Sequence, residues 1–100
     1  MRKVTRDAIN AFYNHTPFRR GNTEVMVNDN YVALKLHGNT IAELRGGENL
    51  TITNAGWPTN TTKERLNGLT GVSIRQKNHQ WYLNGERWDG ESVNPHTYGA

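Results

Sequence analysis

The spacing of apolar residues changes twice along the chain. Ala8, Ile9 and Phe12 fall on one stripe of period 3.6, and Pro17 ends that pattern, which predicts a helix of about two to three turns. Thr5 reads as its N-cap, with Val4 and Ile9 spaced as the hydrophobic pair that brackets a helix start. A helix this short does not hold itself in water and must dock on something. Past Arg19-Arg20-Gly21, read as a basic connector, the period drops to 2. Glu24–Val27 and Tyr31–Leu36 flank Asn28-Asp29-Asn30, a hairpin signal, with Val32, Leu34 and Leu36 on one face. Gly38-Asn39 turns the chain into Thr40–Leu44, and Gly46-Gly47 turns it into Leu50–Thr53. Four short strands joined by Gly/Asn turns predict an antiparallel meander with one wet face.

A loop over 54–60 follows, and Thr61-Thr62-Lys63-Glu64 then fits a capping box, with Gly68 as the stop of a second short helix. Val72–Gln76 and Gln80–Leu83 read as strands about Lys77-Asn78-His79, with room for a further short strand at Glu86–Trp88. The fold class is α+β. A single small domain over 1–90 has a mainly antiparallel sheet in the order α-β-β-β-β-α-β-β, with two short helices over one face. Glu91 to Ala100 shows no period and is expected to be a polar, mobile tail.

The stretch "WYLNGERWDG", Trp81 to Gly90, makes the face assignment specific. Asn-Gly between strand formers is a strong signal for a two-residue turn, because both central residues need positive φ. With Asn84-Gly85 and Asn78-His79 as two-residue turns, Trp81 faces Trp88, Tyr82 faces Arg87, and Arg75 faces Tyr82. Ile74, Trp81, Leu83 and Trp88 then share an inner face; Arg75, Lys77, Tyr82 and Arg87 share an outer one. A three-residue turn at 77–79 would exchange the two faces. Cations flanking a ring suit phosphates and unstacked bases, although arginine stems also cover rings on faces that bind nothing. Arg75, Lys77, Tyr82 and Arg87 are the candidate contacts for nucleic acid or another partner. Arg2-Lys3-Arg6 and Arg19-Arg20 would extend this surface if the first helix packs beside it. Trp57, in a Gly/Pro loop, is a secondary candidate contact, the commoner fate of such a residue being to fold back as a lid on the core.

Composition adds limits. Of 100 residues, 34% are hydrophobic and none is cysteine, which excludes disulfides, thiolate metal sites and cysteine nucleophiles and fits a reducing compartment. No run approaches the ~18 apolar residues of a membrane span, and the basic N-terminus is interrupted too early for a secretory signal. The three Asn-x-Ser/Thr triplets, at Asn14, Asn49 and Asn60, are therefore not read as glycosylation sites. A net charge of +3 permits a polyanionic partner without requiring one. His15, His37, His79 and His96 show no metal-ligand spacing. Arg45-Gly46-Gly47-Glu48 lacks the Lys-Ser/Thr of a phosphate loop, and the only serines are Ser73 and Ser92. Glu43, Glu64, Glu86 and Asp89 have no spacing that implies acid–base work. The expectation is an intracellular binding module without cofactor or metal, not an enzyme. Its exposed strand edges leave room for self-association.

"NTTKERLNGLTGVSIRQKNHQWYLNGERWDG" (60–90), "KVTRDAINAF" (3–12) and "NAGW" (54–57) together resemble small accessory proteins of tailed bacteriophages, in order over about nine-tenths of the chain. The resemblance implies expression in the bacterial host cytoplasm as a non-virion protein. It supplies no activity and no site residue. Sequences of that group end soon after Trp-Asp-Gly, which sets Glu91–Ala100 apart as an addition. A binding module acting on nucleic acid, or on the host machinery that handles it, is the leading expectation. The rival is an inhibitor of a host enzyme or defence factor, working through a sheet edge or the Trp57 loop; a small metal-free enzyme is the remote third.

Overall fold

In the computed structural model, which describes residues 1–46 and 49–98, the first apolar stripe becomes α1, Lys3–Tyr13, with Ala8, Ile9, Ala11 and Phe12 buried. The helix starts ahead of the predicted cap. Arg2 occupies the N-cap with no side-chain bond, and Thr5 is a buried residue inside the helix. The Thr5 hydroxyl instead bonds Glu64 and Arg65 across the domain, so a long-range partner replaces the local one.

The basic connector is also corrected. Phe18–Arg20 is a strand, β1, paired with β2, Thr23–Asn28, in the register Phe18↔Val25 and Arg20↔Thr23. Three residues, two of them arginine, carry no alternation to read. Pairing places Arg20 on the helix side of the sheet, 2.8 Å from Asp7 of α1. The meander continues through β3, Tyr31–Leu36, β4, Asn39–Arg45, and β5, Asn49–Ile52, all antiparallel and in sequence order. Val25, Val32, Leu34, Leu44, Leu50 and Ile52 line the inner face, as the period of 2 predicts. One slip in register after Leu34 leaves Ile41 and Ala42 both buried, as a bulge does. Gly47 and Glu48 lie outside the described residues, and with them part of the predicted Gly46-Gly47 turn.

The second helix, α2, is Asn60–Leu66. Its N-cap is Thr59, whose hydroxyl accepts from the Thr62 amide at 3.2 Å, so the Thr61–Glu64 box does not form. Glu64 turns instead to Arg2 N–H, Thr5 and Arg65. Gly68 follows the C-cap Asn67, but the packing explains it better than the stop: a Cβ there would sit 2.8 Å from Ile9 Cγ1. Glycine lets α1 and the end of α2 touch.

Asn67 then fixes the next strand, its amide donating to and accepting from the Ile74 backbone at 3.1 and 2.6 Å. β6, Ile74–Lys77, β7, Gln80–Leu83, and β8, Glu86–Arg87, form a second antiparallel sheet. The α+β class and the predicted order of elements hold, with β1 added and the strands divided between two sheets. One core lies between the inner faces of both sheets and the two helices.

The packed unit does not stop at Gly90. Val93 bridges Ile52, Pro95 is buried, and Pro95–Thr97 form a 3-10 turn capped by Asn94. Trp88 Nε1–H donates to the Glu91 carbonyl at 3.0 Å, and the Tyr98 hydroxyl donates to the Arg87 carbonyl at 2.7 Å. The expectation of a loose tail is corrected for 91–98, because these contacts come from single side chains and backbone groups that leave no period. Gly99 and Ala100, the rest of that predicted tail, lie outside the described residues.

Candidate nucleic-acid interface

Two tight turns set the candidate face. Asn78 and His79 have φ of 52° and 65°, Asn84 and Gly85 of 50° and 88°, which is the geometry a two-residue hairpin turn requires. The Asn84 side chain locks the second turn, accepting from Ser73 N–H at 2.9 Å and donating to the carbonyls of Gly71 and Pro95. The register is therefore Arg75↔Tyr82, Lys77↔Gln80 and Tyr82↔Arg87.

Arg75, Tyr82 and Arg87 thus form one row across three strands, with Lys77 further along β6. Arg75, Lys77 and Arg87 are exposed and Tyr82 is half-buried. The inner face carries Ile74, Trp81, Leu83 and Trp88, all buried, the two indoles 6.2 Å apart and tilted. Their contact contributes about 0.5–1.5 kcal/mol beyond the area they bury.

The outer cations are not spent on one another's neighbours. Arg20, Arg45 and Arg65 each hold a carboxylate, whereas Arg75, Lys77 and Arg87 have none within ion-pair distance among the described residues. The cation–π contacts among the described residues involve Phe18, Tyr31 and Trp81, leaving the Tyr82 ring uncapped. The β8 end is the less positive one. Asp89 is held below the usual carboxylate range chiefly by its hydrogen bond with Glu91, and the charge of Arg87 helps. Glu91 is pushed up by the same hydrogen bond. These carboxylates lie near Arg87 and offset part of the positive charge at that end.

The cations of α1, and Arg20 of β1, sit with the other sheet. Arg2, Lys3 and Arg6 ride on α1, which packs on β1, β2 and β3, and Arg20 is tied to Asp7. Asp7 is held low chiefly by its hydrogen bond with Arg20, and Lys3 and Arg6 add to the effect, so these cations surround one carboxylate elsewhere.

Trp57 is corrected as well. It does not cover the core: it is 59% exposed at the rim of a cleft of about 440 Å³. The β3–β4 turn at His37-Gly38 and the start of α2 form the walls, with Leu36, Ile41 and Asn54 deeper in. The backbone causes this, since Trp57 N–H bonds the Asn54 carbonyl and Gly56 takes φ of 81°, turning the indole outward.

Among the described residues one charged side chain is buried, and the sequence pattern does not mark it. Arg65 is 2% exposed and donates to Thr23 at 3.1 Å, Thr5 at 2.7 Å and Glu64. An arginine one residue after a glutamate gives no sign of burial. Only its place at the α2 position facing Thr5 and Thr23, both buried, identifies it afterwards. This network ties α1, β2 and α2 together and is structural.

Among the described residues no group of three or more His, Cys, Asp or Glu could hold a metal ion, and no helix is long and apolar enough to cross a membrane. No curated protein and no solved structure matches the chain. A protein family does, from residue 1 to residue 99, so its span includes the segment after Trp-Asp-Gly that the phage resemblance had set apart. The chain belongs to the family described as Kyanoviridae Gp96 protein, a family of tailed cyanophages, as its resemblance to phage proteins implied.

Proposed function

We propose that the protein is a non-enzymatic phage accessory module that binds nucleic acid through the outer face of β6–β8. The observation that carries this reading is the Arg75–Tyr82–Arg87 row, with Lys77 beside it, solvent-facing and free of carboxylate partners among the described residues. Arginine and lysine take phosphates, and an uncapped phenol accepts the face of an unstacked base. A narrow three-stranded sheet with an exposed ring favours a single strand, whose bases are available for stacking, over a duplex.

Binding of a fluorescein-labelled single-stranded oligonucleotide, followed by anisotropy across a salt series, tests this. Each phosphate neutralised contributes about 0.7 to the slope of log affinity against log salt. Arg75→Gln with Arg87→Gln therefore lowers the slope by about 1.4 and weakens binding at low salt. Equal slopes and affinities for both proteins would remove the proposed face from the function.

A second reading rests on the 59% exposure of Trp57: inhibition of a host enzyme or defence factor docked at that loop. Affinity purification from infected cells with nuclease treatment separates the two. One host protein that survives nuclease and is lost with Trp57→Ala supports docking, whereas nucleic acid lost with the β6–β8 variants supports the first reading.

A further inference from the structure

The Trp57 cleft carries chemistry that the basic face does not use. Trp81 and Trp88 are 5% and 1% exposed, yet Trp57 keeps most of its indole in water beside a concavity with Leu36 and Ile41 among its lining. Asn54 lines the same cleft and is 7% exposed. Its Oδ1 is committed to Gly56 N–H at 2.8 Å, which leaves Nδ2 as the donor, and Nδ2 has no hydrogen-bond partner among the described residues. Nδ2 lies against Gly90 and is not sealed from solvent, and Asn54 is among the residues that line the cleft. Gly90 locks the amide in place, because a Cβ there would fall inside the Asn54 side chain.

The lining contains no lysine, arginine, aspartate or glutamate. No permanently charged side chain faces a ligand there, and the imidazole of His37, also in the lining, is engaged with Asn22 Nδ2 at 3.3 Å. The volume of about 440 Å³ lies in the range of small-ligand pockets. An exposed indole face, a pre-set neutral donor and hydroxyl or amide groups from Thr61 and Asn39 define the occupant. We propose that the cleft binds a neutral heteroaromatic ring of the nucleobase type, stacked on Trp57, with an acceptor on its edge facing Asn54 Nδ2. A saccharide lays only its C–H face on an indole, whereas a base stacks ring on ring, so glucose is the competing occupant in the test. The proposal stands independently of the basic face, and the base can come from a free nucleoside or from a nucleic-acid strand.

Proton–nitrogen NMR titration reads the site directly through the Trp57 indole N–H and the Asn54 side-chain amide. The probes are the individual nucleosides, glucose, a single-stranded oligonucleotide, and an abasic strand of the same length. At least one nucleoside or the base-bearing strand shifts both resonances saturably. A nucleoside response places the free ring in the cleft, and a response to the strand alone places a strand-borne base there. Nucleoside affinity does not change with salt or with Arg75→Gln and Arg87→Gln, which separates this site from the basic face. Trp57→Ala, at an exposed position that leaves the core intact, weakens the Asn54 response about tenfold. The proposal is overturned if neither nucleosides nor the base-bearing strand move both reporters, if glucose or the abasic strand moves them equally, or if Trp57→Ala leaves the affinity unchanged.

Discussion

Arg65 shows how one residue constrains the rest. A guanidinium 2% exposed is tolerated only because Thr5, Thr23 and Glu64 take its donors. Burial by itself would raise the pKa of Glu64, but hydrogen bonds from Thr5, the Arg2 amide and Arg65 outweigh it and hold the carboxyl below its ordinary value of 4.5. The folded state thus favours the carboxylate. That stabilisation is complete above the ordinary glutamate range and is lost as pH falls through the lowered value. Glu64→Gln should cost about 2 kcal/mol at neutral pH, less than a fully buried pair would because Glu64 is 27% exposed. Urea unfolding of both proteins at neutral and acid pH checks this: the gap narrows on the acid side, and a gap independent of pH would refute the assigned role.

At the scale of elements, the C-terminal hairpins are the determining feature, and their turns are not equally good. Asn84-Gly85 places glycine at φ of 88°, whereas Asn78-His79 holds a histidine at φ of 65°. A side chain in the left-handed region costs about 1–2 kcal/mol. His79→Gly should recover part of this beyond the added freedom of the unfolded chain and raise the urea midpoint by the equivalent of about 0.5–1 kcal/mol; an unchanged or lowered midpoint would mean that His79 itself stabilises the turn. These hairpins were also the most legible part of the chain. Asn-Gly fixes turn length, turn length fixes register, and register separates Trp81 and Trp88 from Arg75, Tyr82 and Arg87. β1 was not legible, since Phe18-Arg19-Arg20 has no alternation and is a strand only because β2 offers it an edge. The helix caps misled for a related reason: Thr5 and Glu64 carry capping chemistry, but each has a stronger partner far away in sequence. The outward Trp57 depends on the backbone of 54–56, which composition does not reveal.

At the scale of the whole molecule, the end of the chain closes the structure. Residues 91–98 bridge β5 at Ile52, carry the carbonyl bonded by Trp88, and reach both the Asn84 turn and the Arg87 backbone. They join the two sheets through contacts that no local pattern announces. A chain ending at Gly90 should lose at least about 2 kcal/mol, from the hydrogen bonds removed and the Trp88 indole left without its acceptor. Denaturant melts of the two lengths measure it, and coincident midpoints would show that the segment contributes nothing to stability.

The function proposed for this molecule requires that the outer row of β6–β8 meet nucleic acid. Amide and side-chain NMR shift mapping at low salt, with an unlabelled single-stranded oligonucleotide added to the labelled protein, tests it most directly. The largest shifts should fall on Arg75, Lys77, Tyr82 and Arg87, fade as salt is raised, and leave the Trp81 and Trp88 indoles unmoved. Shifts absent from that row, whatever happens elsewhere on the surface, would contradict it.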